Sequence, residues 1–246
     1  MKKPESNLQE LVRKLQQACG DDLVSIILFG SAAREDFHEE FSDVNLLVVM
    51  QQLTPSSFAG TSAVLNWWTH SEKLRPPMVM TLEELRESAD VFAIELLDIK
   101  ASHKVLFGSD VVADIQVPMN LHRVEVEHEL RTTLLRLRQH LLLSPENEDE
   151  LRAVLAKSVS SVLTLFRHAL LVVGENPPTA KPQLLERASE VFGLEAGPLR
   201  SILALRSDDR RPESLRELYH AYMNAIQRVA HELDARVPKR HLRSQS

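Results

Sequence analysis

Two short stretches of this chain carry residue types and spacings that could do chemistry: Gly30-Ser31, and Asp43-Val44-Asn45. Side chains alternate across a strand, so Asp43 and Asn45 project from one face, ~6.6 Å apart at ~3.3 Å per residue. Two oxygen-bearing side chains would then face one pocket. Gly30 has no Cβ and lets a ligand approach its backbone, and Ser31 opens a stretch that reads as a helix start, where unpaired N–H groups and the helix dipole favour a phosphate. A phosphate cradle beside oxygen ligands suits a metal-bound triphosphate.

The elements that must position these groups are legible around them. Residues 23–29 and 44–49 are apolar runs with the length and β-branched content of buried strands, and the Gly-Ser pair, a turn of helix and a polar loop lie between them. The order is strand, Gly-Ser, short helix, loop, strand.

Gly30-Ser31, eleven residues, then Ser42-Asp43-Val44-Asn45-Leu46-Leu47-Val48-Val49 resembles the signature of the nucleotidyltransferase superfamily, which has the DNA polymerase beta type of fold. The resemblance covers roughly the first hundred residues. It implies an α+β protein: a mixed sheet flanked by helices, which binds a nucleoside triphosphate such as ATP and moves a nucleoside monophosphate to a hydroxyl acceptor. It also implies two divalent cations, Mg2+ if the protein is active, held by the Asp pair and a third carboxylate from a later strand. On that pattern Asp43 and Asn45 take the catalytic and metal positions, Gly30 and Ser31 meet the phosphates, and Arg34 falls where many members have Arg after Gly-Ser. The acceptor is not legible.

The match departs from the pattern where chemistry is concerned. Asn45 stands in place of the second Asp and offers one neutral oxygen, whereas two-metal phosphoryl transfer needs anionic ligands. Glu35 stands where Gly is frequent, and the third strand, 78–80, has no acid. Glu95 and Asp98 are the next acidic residues beyond Glu83 and Glu84. As a strand, 90–100 could aim Glu95 at the pocket; as a helix, capped by Ser88 or Asp90, it sets Glu95 and Asp98 one turn apart. The absence of a turn signal over a dozen residues favours the helix, with Glu95 a weak candidate ligand and 104–108 an edge strand.

Composition sets the outer bounds. The chain has 246 residues, 43% of them hydrophobic, enough for two cores, and a net charge of −6 that implies neither nucleic acid nor an anionic membrane as partner. The lone Cys19 fits a reducing compartment. No signal segment or run of ~18 apolar residues is legible, so a cytoplasmic location is expected. Oligomeric state is not encoded in any motif.

Along the rest of the chain, 6–19 reads as a helix capped by Ser6 or Asn7, with a Leu8/Leu11/Val12/Leu15 stripe. A further helix is expected over 57–74, where Trp67 and Trp68 cannot share a face: one fills the core and the other lies at a cleft between domains, with base stacking as the alternative. Residues 109–120 read as a linker, dividing a domain over 1–115 from a helical bundle over 116–246, with helices near 121–143, 148–173, 181–192, 195–206 and 212–236.

This two-domain plan resembles aminoglycoside nucleotidyltransferases, whose helical domain supplies basic contacts to the phosphates; Arg167 and Lys181 occupy comparable places. His103, His128 and His168 read as surface or partly buried, and no zinc site is expected. Ser31 lacks a nucleophile elbow. Beside a working transferase, two further readings stand: a nucleotide-sensing module without turnover, which Asn45 and the acid-free third strand support, or an antitoxin-like protein–protein module, which the pairing of a nucleotidyltransferase-like domain with a helical one implies and for which no apolar stripe in the sequence marks a face.

Overall fold

The computed structural model describes residues 4–33, 44–72, 74–205 and 214–236, with backbone alone at residues 4, 5 and 31. Two compact units divide between Pro118 and Met119. The first holds a four-stranded sheet in the order β3-β2-β1-β4. Its strands are β1 (Leu23–Phe29), β2 (Asn45–Met50), β3 (Met78–Thr81) and β4 (His103–Gly108); its helices are α1 (Pro4–Cys19), α2 (Pro55–Asn66), α3 (Leu82–Glu87) and α4 (Ala93–Ala101). The second holds α5 (Met119–Leu143), α6 (Glu148–Val172), α7 (Lys181–Phe192), α8 (Ala196–Ala204) and α9 (Leu215–Arg236). This is the α+β architecture expected, a mixed sheet with helices followed by a set of helices.

β1 lies between β2 and β4 and pairs antiparallel with both, while β3 runs parallel to β2. Both faces of the sheet are covered, which is why β1 and β2 read as continuous apolar runs. Ile26, Leu28, Leu46, Val48 and Met50 point toward α1 and α2, meeting Leu11, Leu15 and Trp68. Ile27, Phe29, Leu47 and Val49 point the other way, onto Leu85 of α3 and Leu96 and Ile99 of α4.

Several expectations are corrected in detail. α1 starts at Pro4, so Asn7 lies inside it; its amide donates to Glu72 Oε2 at 2.8 Å and ties α1 to the end of α2 instead of capping. α2 begins at a capping box in which Thr54 and Ser57 satisfy each other's backbone N–H, and it passes into a π-helical turn over Trp67–Ser71. Trp68 is wholly buried and donates Nε1–H to Arg75 O at 2.8 Å. Trp67 is partly buried and packs against the α1 layer, with the Lys14 ammonium 4.9 Å from its ring centre. Residues 109–117 are not a linker, because Val112 and Ile115 are buried in the sheet core. They lack periodicity because they cover that core as an irregular strap, held by Lys100 Nζ donating to the carbonyls of Ala113 and Ile115.

In the second unit, α6 packs against α5, α7 and α9 and buries Leu155, Val159, Val162 and Phe166. α6 is long and apolar enough to cross a membrane by length and composition, and half of its most apolar window is buried in the unit, as in the core helix of a bundle. The Tyr219 hydroxyl donates to Leu137 O at 3.0 Å, and burial pushes its pKa up to about 12. α5 buries His122, Val126, Leu130, Leu134 and Leu137, whereas Leu121, Val124 and Leu135 are exposed. Its charged residues form ion pairs between turns, Glu127 taking Arg123 at 3.1 Å and Arg131 at 2.8 Å.

β4 ends at a position only glycine can occupy. Gly108 has φ +76°, and a Cβ there would sit 1.9 Å from Val24 O. Gly108→Ala is expected to destabilise the first unit by at least about 1–2 kcal/mol from backbone handedness alone, with the clash adding to it. A denaturant titration of the variant checks this; an unchanged midpoint contradicts the packing of β4 on β1.

Candidate active site

The site forms where β1 and β2 reach the same end of the sheet. Phe29 pairs with Asn45 across the antiparallel ladder, so Gly30 follows directly beside Asn45. Gly30 adopts φ +75°, and a Cβ on it would sit 3.2 Å from Asn45 Nδ2. The absence of a side chain at 30 therefore leaves room for the Asn45 amide against the backbone. Gly30 N–H donates to Ser102 O at 3.1 Å, which anchors the bend to the segment leading into β4.

The segment after Gly30 differs from expectation. Residues Gly30–Ala33 form one 3-10 turn, and a single turn lacks the aligned peptide dipoles of an α-helix start. Arg34, Glu35 and Asp43 lie outside the described residues, as does the side chain of Ser31. Gly30 and Asn45 are thus the two expected site residues whose proximity the structure describes.

Alternation along β2 fixes which face the amide joins. Val44, Leu46 and Val48 face α1 and α2, so Asn45 shares the α4 face with Leu47 and Val49. α4 is a helix, as the sequence favours, with Glu95 half-buried in its first turn and Leu96 and Ile99 on the sheet. It also meets the Gly30–Ala33 turn. Glu95 therefore sits on the element that covers both Gly30 and the face of Asn45. β3 carries no acid, as read from its residues. Arg167 on α6 and Lys181 at the start of α7 belong to the second unit, where Lys181 Nζ donates to Ser160 Oγ at 3.3 Å.

Sequence reasoning missed a pair at the other end of the same row. His103 pairs with Phe29 on the side opposite Asn45 and so projects from the same face. Its Nδ1 lies 2.9 Å from Ile99 O and its Nε2 3.0 Å from Asp110 Oδ2. Asp110 Oδ1 also accepts from the N–H groups of Val112 and Ala113, each at 3.2 Å. The hydrogen bond from His103 holds the Asp110 carboxyl below its ordinary range. No motif signals this pair; only the register of β4 brings it together.

In the second unit His168 is wholly buried, contrary to expectation, because it lies on the apolar stripe of α6 between Leu165 and Ala169. Its Nδ1 is 2.8 Å from His122 Nε2 on α5. Among the described residues no three His, Cys, Asp or Glu side chains are grouped to hold a metal.

A glycine bend beside a polar residue at the head of the neighbouring antiparallel strand, on a mixed sheet with a helical unit after it, is the arrangement of nucleotidyltransferases. The nucleotidyltransferase domain family model matches residues 8–132, and the chain belongs to that family. Its members typically use divalent metals. Over 46 residues, 19% of this chain, it is 54% identical to MJ1305 of Methanocaldococcus jannaschii, provisionally named a protein adenylyltransferase; the match spans 31% of that relative's length. The fold is similar to that of spectinomycin adenyltransferase AAD(9) from Enterococcus faecialis, solved with ATP and spectinomycin. The TM-score is 0.58 at 14% identity, over 92% of this chain and 100% of that one.

A carboxyl held low by folding stabilises the fold above its unfolded pKa and loses that contribution as pH falls through the folded value. The side chain of Asp110 is 40% exposed, so solvent screening keeps the effect well under about 1 kcal/mol. His103→Ala is therefore expected to lower stability at about pH 5, with the gap from wild type narrowing once the pH falls below about 4. Urea unfolding in the two ranges measures it; a gap that widens in acid contradicts the pairing.

Proposed function

We propose that the first unit binds a nucleoside triphosphate such as ATP at the Gly30 bend, where Asp43 would hold Mg2+, and that nucleotide transfer from this complex is slow or absent. One observation supports both parts: the bare glycine bend stands against the amide of Asn45, not a carboxylate. Glycine permits the close approach a phosphate chain requires. The amide gives a cation one neutral oxygen and no charge.

In the transfer, the acceptor hydroxyl oxygen bonds to the α-phosphorus and the bond from that phosphorus to the bridging oxygen breaks. Pyrophosphate leaves, and the hydroxyl proton passes to solvent or a basic side chain. A divalent cation supplies neutralisation of the developing charge on the leaving oxygens. Asn45 would hold such a cation less strongly than an aspartate, and Glu95 on α4 is the candidate that would restore part of the charge. Arg34, Ser31, Arg167 and Lys181 are assigned to the phosphates on the family pattern, and the acceptor stays open. ATP and spectinomycin in AAD(9) support a nucleotide and a hydroxyl-bearing acceptor as the partner classes.

A second reading, favoured by Asn45 together with the acid-free β3, is a pseudoenzyme that senses a nucleotide, alone or as an antitoxin-like module. Calorimetric titration of ATP with Mg2+ and with chelator, alongside a pyrophosphate assay, separates these. Magnesium-dependent binding with release supports an enzyme, binding without release the sensor, and no heat in either condition sinks the nucleotide reading. Asn45→Asp, which restores the anionic ligand, is expected to raise pyrophosphate release roughly tenfold or more. Gly30→Ala, which crowds Asn45 and strains the bend, is expected to abolish ATP binding while the unit stays folded by circular dichroism.

A further inference from the structure

Among the described residues, the large apolar side chains that the first unit leaves exposed are Phe58 (59%), Val91 (61%) and Phe92 (37%). All three line grooves beside one strand, β3. β3 is an edge of the sheet, with β2 on one side and no strand on the other among the described residues. Its sequence, Met-Val-Met-Thr, has no charge and no proline, the residues that ordinarily protect an edge from pairing; only its length of four residues limits it. Among the described residues, the opposite edge strand, β4, contributes no exposed large apolar side chain.

The two grooves lie on the two faces of this edge. Val79 faces the α2 side, where a groove of about 320 Å3 is lined by Leu53, Phe58, Leu65 and Pro76 with no charged residue. Met78 and Met80 face the α3 side, where a groove of about 520 Å3 is lined by them, Val91 and Phe92, and its charged members are Glu84 and Glu87. Both grooves are thus apolar at the floor, and one has an acidic rim.

We propose that β3 is a docking edge for an extended segment of a partner protein, apolar at every second position and carrying Lys or Arg between. Such a segment adds to the sheet as a further strand, its backbone bonding to the outward N–H and C=O groups of β3. Its alternate side chains fall on opposite faces. The apolar set enters the uncharged α2 groove. The basic set lays its methylene stems over Met78, Met80 and Phe92 and brings its cations to Glu84 and Glu87. Charge complementarity excludes an acidic strand. The surface is assembled from α2, β3 and the turn before α4, which is why no stripe in the sequence announces it. This reading is independent of nucleotide binding.

The test uses the full chain without nucleotide and peptides of about ten residues with valine alternating with lysine or with glutamate, a typical strand length or longer. The lysine peptide is expected to bind, measured by fluorescence anisotropy, and to slow hydrogen exchange at 78–81. Phe58→Asp and Phe92→Ser are each expected to weaken it at least tenfold, and Glu87→Lys to weaken it while improving the glutamate peptide. All three sites are exposed, so unfolding curves serve to verify that the fold is kept. Equal binding of both peptides, no binding, unchanged exchange at 78–81, or a dimer in light scattering that Phe58→Asp dissolves would each overturn the proposal, the last by assigning the edge to a second copy.

Discussion

The register of β1 against its two neighbours is the constraint on which the first unit depends. Phe29 is paired with Asn45 on one side and with His103 on the other, so one row across the sheet contains the candidate site and the His103–Asp110 pair. A slip of one residue between β1 and β2 would turn Leu47 and Val49 toward α1 and α2 and carry Asn45 away from the face of α4. The register cannot slip without exposing or misplacing apolar side chains on two faces at once, because β1 and β2 are buried on both. The sheet core and the site geometry are thus fixed by the same apolar burial.

On the proposed reading, that scaffold accommodates a change of charge at position 45 without a change of fold. Gly30 serves the fold and the candidate site together: its positive φ turns the chain out of β1, its N–H anchors to Ser102, and its bare Cα leaves room for the Asn45 amide. Asn45 lies at the end of β2, half-buried, and its chemistry is decoupled from packing. An acid and an amide have nearly the same shape there, so the loss of charge leaves the sheet intact and changes only what the site can hold.

The second unit obeys a different rule. Its helices bury a core in which several polar groups pair with one another: the Tyr219 hydroxyl with Leu137 O, Tyr222 with Ser158, His122 with His168. Burial raises the pKa of both tyrosines, so each remains a neutral hydroxyl. Buried polar pairs of this kind specify which helix face meets which, in addition to the apolar contacts around them.

The sequence by itself determined the strands around Gly30, the helical character of 93–101 and the helices of the second unit, because these depend on local periodicity and on residues a few positions apart. It also determined the family, through Gly30-Ser31 and the Asp43-Val44-Asn45 spacing, and the missing charge at 45. It was silent or misleading wherever partners come from distant segments. Val112 and Ile115 lie in an aperiodic stretch yet complete a core; Asn7 forms a bond to Glu72 instead of a cap; Trp67 lies under Lys14. His103 and Asp110, the buried His122–His168 pair and the grooves beside β3 have no local signature either. Tertiary structure decided these, because strand order and helix packing, which join residues tens of positions apart, are set by the burial of whole faces and not by any neighbouring residue.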